Sequence, residues 1–237
     1  QMSTLFLIFL SKFINPKYRF YIDNFYGTLI NIIFKIRKSV AVMKILAVGD
    51  KESRYIWDHF DRERFKDIDL ILSSGDLKSE YLSFLVTMIK APLFYVHGNH
   101  DTSYIYKEPQ GCVSIDDQLV VYNDIRILGL GGSQNYNNGG FQYTEKEMAL
   151  RIKKLKRALK KYNGFDILLT HAPAYGLGDG EDLCHRGFQA FIELLDQYNP
   201  KYFIHGHQHL SYSRQKRFMT YKNTSIINAY EYHILEY

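Results

Sequence analysis

The sequence predicts an α/β fold. Three observations lead there. From Met43 onwards short apolar runs alternate with stretches of helical periodicity, five of those runs end in turns that carry Asp, Asn or His, and the composition is that of an ordinary globular domain. At 237 residues, 46% hydrophobic and 23% charged, the chain is long enough for one large domain with a well-buried core. Cys112 and Cys184 lie far apart and form no CxxC pair, so both are expected to be reduced thiols of a cytoplasmic protein.

Residues 1–42 differ in texture from the rest. An apolar run at 4–10 ends near Lys12, Pro16 breaks the pattern, and a second run at 25–34 is closed by Lys35, Arg37 and Lys38. Neither reaches the roughly 20 apolar residues that a membrane-spanning helix needs. The first lacks the preceding basic residue and following cleavage site of a signal peptide. Three readings stand: a helical flap on the body, a basic interfacial anchor at an anionic inner membrane face, or sequence upstream of a translation start at Met43. The segment carries six basic residues against one acidic, which accounts for the whole net charge of +5. The body at 43–237 is balanced, so no specific nucleic-acid binding is expected of it.

Within the body, 44–49 reads as a first strand that turns at Asp50, and 55–65 as a helix. The apolar run 68–73 ends in Ser74-Gly75-Asp76. A helix over 82–90 precedes a strand at 92–96 that ends in Gly98-Asn99-His100-Asp101. The runs 119–122 and 125–128 flank Asn123-Asp124, a good hairpin dipeptide. Residues 129–140 are rich in glycine and asparagine and read as a loop. Thr144 and Glu147 have capping-box spacing, and Met148, Ile152, Leu155 and Leu159 follow at helical spacing until Asn163-Gly164. The basic residues of 151–161 are expected on that helix's solvated face. A strand at 165–170 ends in His171, a helix spans 188–198, and a strand at 202–204 runs into the histidine cluster 205–209. The stretches 212–221 and 225–237, rich in tyrosine and β-branched residues, read as a final antiparallel pair.

In open α/β sheets the carboxyl ends of strands converge on one rim, where ligand sites form. The groups at these strand ends are Asp50 and Glu52, Asp76, Asn99 with His100 and Asp101, His171, and His207 with His209. Seven of the nine histidines fall at or beside these turns, whereas His59 and His233 read as ordinary structural residues. The set offers carboxylate, amide and imidazole but no thiolate, which suits divalent first-row metals and argues against a structural cysteine–zinc site. Two cations about 3.5–4 Å apart polarise a phosphoryl oxygen and generate hydroxide at neutral pH.

In their order, Asp50-Lys51-Glu52, Gly75-Asp76, Gly98-Asn99-His100-Asp101, His171 and Gly206-His207-Gln208-His209 resemble the motif series of the calcineurin-like metallophosphoesterases over almost all of the chain from Met43. The resemblance implies a four-layer α/β/β/α sandwich and hydrolysis of a phosphomonoester or phosphodiester. It implies that Asp76 bridges two metals, that Asp50 and His209 complete one site, and that Asn99, His171 and His207 hold the other. His100 would stand beside the leaving-group oxygen as proton donor, with Asp101 orienting its ring. One position departs: the family's first motif is Asp-any-His, and Glu52 stands where the histidine belongs. As a hard oxygen ligand Glu52 shifts preference towards manganese, magnesium or iron and away from zinc; the competing reading is a weakened first site. Manganese is therefore the expected cofactor, two ions per chain. A metallophosphoesterase-fold interaction module without catalysis is the rival to an enzyme.

Candidate substrate groups are His185 and Arg186, in the glycine-rich loop 175–187, where an arginine can clamp a phosphate oxygen. His97 and His205 precede motif glycines and read as support for the ligands. Tyr136 and Tyr143 are candidates for a cleft rim. Beyond a phosphate-ester substrate and peripheral membrane contact through 1–42, no partner is indicated, and the oligomeric state is left open.

Overall fold

The strands of the body bury both faces, and that dictates how its layers stack. In β1 (Lys44–Gly49) the side chains alternate: Ile45 and Ala47 point into one apolar cluster, Leu46 and Val48 into another. The same alternation divides Leu70 and Leu72 from Ile71 in β2 (Leu70–Ser73). It also divides Ile167 and Leu169 from Leu168 in β9 (Ile167–Thr170), and Ile204 from Phe203 in β10 (Tyr202–His205). Such strands read as continuous apolar runs, because each must cover two interiors.

A computed structural model describes residues 42–211 and 216–237, and Met43–Tyr237 forms one compact unit. The readings for 1–41 lie outside the described residues. One sheet has the order β13-β1-β2-β3-β4, with β3 at Leu93–Tyr95, β4 at Val113–Ser114 and β13 at Glu231–Glu236. The other runs β11-β12-β10-β9-β6-β5, with β5 at Gln118–Tyr122, β6 at Ile125–Leu130, β11 at Phe218–Tyr221 and β12 at Thr224–Asn228. Between the sheets lies the cluster of Ile45, Leu72, Ile127, Leu169 and Ile204. The outer face of the first sheet packs under α1 (Arg54–Asp58), α2 (Arg62–Phe65) and α3 (Ser79–Ile89), through Ile56, Phe65, Leu82 and Leu85. The outer face of the second packs under α4 (Glu145–Lys154), α5 (Lys156–Lys161) and α6 (Gln189–Tyr198), through Met148, Leu159, Phe191 and Leu195. The result is the expected α/β/β/α sandwich.

Several local expectations hold in detail. The hairpin pairs Tyr122 with Ile125 around Asn123 and Asp124, both at positive φ (46° and 66°). The capping box is complete, since Thr144 accepts from the Glu147 amide and Glu147 from the Thr144 amide.

Others are corrected. The helix expected over 55–65 is two short helices, because Asp61 caps a new start by accepting from the Glu63 amide. The long helix after Thr144 breaks at Leu155. Arg151 is not on a solvated face: it is 7% exposed, donates from Nε to Asp117 Oδ1 (2.8 Å) and from Nη1 to the Gly131 carbonyl (2.7 Å), and lies 4.1 Å over the Tyr143 ring. The loop 129–140 contributes Gly129 and Leu130 to β6 and a short strand, β7 (Ser133–Gln134), paired with β8 (Gln142–Tyr143). Residues 212–215 of the expected terminal pair lie outside the described residues, and over the described residues 216–237 the pair is three strands. The chain turns at Ala229–Glu231, and β13 crosses to the other sheet to pair antiparallel with β1. Among the described residues no helix is long and apolar enough to cross a membrane.

Candidate metal centre

Each candidate residue follows the carboxyl end of a strand, three in the first sheet (β1, β2, β3) and two in the second (β9, β10). Backbone bonds pin the turns together: the Asp50 amide donates to the Gly75 carbonyl (3.0 Å), and the Gly206 amide to the His171 carbonyl (2.9 Å). Three of the candidate ligands occupy the left-handed region, with φ of 64° at Asp50, 56° at Asp76 and 65° at His207. Such a conformation costs about 1–3 kcal/mol at each non-glycine residue and concentrates where side-chain placement matters more than local comfort. Glycines complete the cradle. A Cβ on Gly98 would lie 2.0 Å from Asp76 Oδ1, and one on Gly206 would lie 2.6 Å from Asp50 Oδ2.

His171 is the hub. Its Nδ1 donates to the Ser74 carbonyl (2.8 Å), which leaves Nε2 facing Asn99 Oδ1 (3.0 Å), His207 Nδ1 (3.0 Å) and Asp76 Oδ2 (3.3 Å). His207 is oriented the same way, since its Nε2 donates to the Cys184 carbonyl (2.7 Å) and Nδ1 looks inward. Imidazoles that ligate metals characteristically give their other N–H to a carbonyl or carboxylate, which sets the tautomer. The ligand atoms of Asp76, His171 and His207 all lie within 4.8 Å of one another.

The electrostatics are those of a site built around positive charge. Burial alone lowers an imidazole pKa, yet the charges of Asp76 and Asp50 and the bond to Asp76 raise that of His171 to about 9. In the metal-free fold this direction favours a proton on His171 Nε2, round which three acceptors crowd. Burial, and then the His171 charge, hold His207 far below the usual imidazole value, so its Nδ1 is a lone pair. Burial works against ionisation of Asp76, but His171 and the His100 amide (2.8 Å to Oδ1) outweigh it and hold the carboxyl well below its ordinary value. Asp50 is pushed up to about 7, first by burial and then by the neighbouring charge of Asp76. Its Oδ1 accepts from the His207 amide (2.6 Å), but its Oδ2 is buried without a partner. A buried carboxylate oxygen with no donor is costly unless a cation serves it. Both features fit divalent cations: one in place of the proton at His171 Nε2, one against Asp50 Oδ2.

The remaining candidates stand as follows. Glu52 accepts from the Lys78 amide (3.3 Å) and pairs with its ammonium (3.7 Å), so its carboxylate faces the start of α3. The His209 ring lies tilted against the Tyr230 ring, with the centroids 5.2 Å apart. The Asp101 carboxylate accepts from the Gly98 (2.7 Å) and Asp76 (2.8 Å) amides, and so braces the turn rather than the His100 ring; His100 itself is exposed. His185 joins the cluster, its ring centroid 5.3 Å from that of His207 and its Nδ1 on Asp182. Arg186 is exposed and donates to the Glu181 carbonyl. His97 bonds Asp116 and stacks on Phe141, while His205 bonds the Gly206 carbonyl, both in supporting positions.

Sequence reasoning missed two carbonyls, of Ser74 and Cys184, that orient the histidines; main-chain acceptors leave no mark in a motif. Of the two rim tyrosines, Tyr136 reaches the cluster, where it accepts from Asn99 Nδ2 (3.3 Å), whereas Tyr143 lies under Arg151.

The fold overlays on that of TT1561 of Thermus thermophilus with a TM-score of 0.56 at 15% identity, covering 81% of this chain and 90% of that one. A further crystal structure overlays with a TM-score of 0.57 at 15% identity, covering 82% of this chain and 95% of the other. The overlay on a 5'-nucleotidase from Candida albicans is looser, with a TM-score of 0.47 at 14% identity over 79% of this chain and 45% of that one. No curated protein matches the chain. The calcineurin-like phosphoesterase pattern matches residues 43–211, which include every strand-end turn described above, and the chain belongs to that family.

Proposed function

We propose that this chain is a metal-dependent phosphoesterase that hydrolyses a phosphomonoester or phosphodiester at the cluster formed by the five turns. One observation carries the reading: the site has two unmet demands for positive charge. Asp76 Oδ2, Asn99 Oδ1 and His207 Nδ1 converge on His171 Nε2, and Asp50 Oδ2 is buried with no donor. Divalent cations bound there supply neutralisation of the charge that develops on phosphoryl oxygens and acidify an attacking water.

Asp76, Asn99, His171 and His207 hold one cation. Asp50, Asp76 and His209 hold the other, with Glu52 joining them when its carboxylate leaves Lys78. Manganese is the favoured metal, with iron, magnesium or zinc as alternatives, because the second set is dominated by hard oxygen donors. Asp76 suits the shared position, since its two oxygens already serve different partners, the His100 amide and His171 Nε2. His100, exposed beside that carboxylate, gives a proton to the leaving-group oxygen. Asp101 supports this step through the backbone, by holding the amides of Gly98 and Asp76 that set the turn. His185 and Arg186, on the loop whose Cys184 carbonyl orients His207, contact the phosphate ester.

The test is turnover of p-nitrophenyl phosphate and bis-p-nitrophenyl phosphate by the full chain with added manganese. Activity that is lost in Asp76→Ala supports the proposal. Equal rates in wild type and Asp76→Ala, or no turnover of either ester, remove it and leave an interaction module on the same scaffold.

A further inference from the structure

We propose that Tyr136 is a positioning residue for the metal centre, acting through the side-chain amide of Asn99; the inference rests on the metal-binding reading above. Asn99 is 5% exposed, and its amide has two faces with opposite chemistry. Oδ1 points at His171 Nε2 (3.0 Å), the place assigned to a cation, and Nδ2 points outward to Tyr136 Oη (3.3 Å). Only one orientation of the amide coordinates, because a rotation by half a turn presents N–H donors to the cation. The phenol oxygen accepts from Nδ2 and thereby selects the coordinating orientation.

The segment that carries the phenol is itself held. The Tyr136 amide donates to Gln142 Oε1 (3.3 Å), and Gln142 Oε1 also accepts from the Asn137 amide (3.2 Å), which fixes the turn that carries the ring. The neighbouring ligand His207 is oriented by a different group, the Cys184 carbonyl, which accepts from its Nε2 (2.7 Å). Tyr136 thus sets the inward-facing atom of Asn99, the one ligand that its phenol oxygen touches. Partners of this outer kind characteristically change metal affinity or activity by about 10- to 100-fold when removed.

The deciding measurement is manganese binding to the chelator-treated full chain, by calorimetry and by electron paramagnetic resonance of free manganese. Wild type, Tyr136→Phe, Asn99→Ala and the double variant are compared. Phenylalanine keeps the ring and deletes only the phenol oxygen. The expected result is two manganese ions in wild type, with one of them weakened about 10- to 100-fold in Tyr136→Phe and the other unchanged. In the Asn99→Ala background, Tyr136→Phe has no further effect, because the amide it orients is gone. Equal affinities in wild type and Tyr136→Phe overturn the inference while leaving the metal site standing. Equal weakening of both ions, or a Tyr136→Phe effect that survives in Asn99→Ala, also overturns it, since either outcome means the tyrosine acts elsewhere. A wild-type chain that binds no manganese defeats the metal-binding reading itself.

Discussion

Replacing Asp50 by asparagine is expected to stabilise the metal-free protein at alkaline pH while weakening its response to manganese. Asparagine is chosen because it tolerates the left-handed backbone that Asp50 adopts (φ 64°) and has nearly the same shape. Burial, with the nearby Asp76 charge, raises the Asp50 carboxyl to about 7 in the fold. Against an ordinary carboxylate value near 4, at about 1.36 kcal/mol per tenfold, ionising Asp50 in the metal-free fold costs about 4 kcal/mol. The folded value lies above the unfolded one, so this penalty is absent below pH 4, grows as the pH rises, and is complete above pH 7. The asparagine removes it but places an N–H donor where Asp50 Oδ2 has no partner, at a cost of about 1–3 kcal/mol. The net gain is about 2 kcal/mol at pH 8 and vanishes near pH 5. Urea denaturation of chelated wild type and Asp50→Asn at pH 5 and pH 8 measures it. With manganese the order reverses, because the wild type gains from two ions and the variant from one. A difference between the two proteins that does not change with pH, or a variant less stable than wild type at pH 8, would refute the electrostatic account of this site.

Manganese at about 100 times its dissociation constant should stabilise the wild type by about 2.7 kcal/mol, a rise of roughly 5–10 °C in melting temperature, and the rise should be absent in Asp76→Ala. His100→Ala should lower kcat about 10²- to 10⁴-fold with manganese affinity unchanged, as the ring donates a proton and does not ligate; lost affinity in calorimetry would reassign it. Arg151→Met should destabilise the fold by about 3–5 kcal/mol in urea, since it leaves the Asp116 carboxylate buried without its cation, and a loss below about 1 kcal/mol would contradict that role. Burial opposes ionisation of Asp116, yet the bond to His97 and the charge of Arg151 hold its carboxyl below the usual value. Its contribution is therefore present above about pH 4 and lost as the pH falls through the lower folded value, and Arg151→Met should move the onset of acid unfolding, followed by circular dichroism, to higher pH.

The make-up of the candidate site was legible because it is written in side-chain identity at strand ends. Asp50, Asp76, Asn99, His171 and His207 each follow an apolar run, and an apolar run that must cover two interiors is recognisable without coordinates. Asn123-Asp124 and Thr144–Glu147 were legible for a similar reason, as turn and cap chemistry is local. Arg151 was misplaced because its neighbours in sequence are lysines on a solvated face, whereas its partners Asp117 and Gly131 come from elsewhere in the chain. The crossing of β13 to the first sheet was invisible, because a strand's alternation does not say which sheet it joins.

The amino-acid order by itself determined the α/β class, through periodicity, and the family and its layered sandwich, through the resemblance of the motif series at the turns. Tertiary structure alone decided which atom of each donor faces inward. The carbonyls of Ser74 and Cys184 set the His171 and His207 rings, Tyr136 sets the Asn99 amide, and Lys78 holds Glu52. The physical reason is that orientation depends on hydrogen-bond partners remote along the chain, many of them backbone groups that every residue possesses. Their influence exists only once folding has brought them within about 3 Å of the ligands.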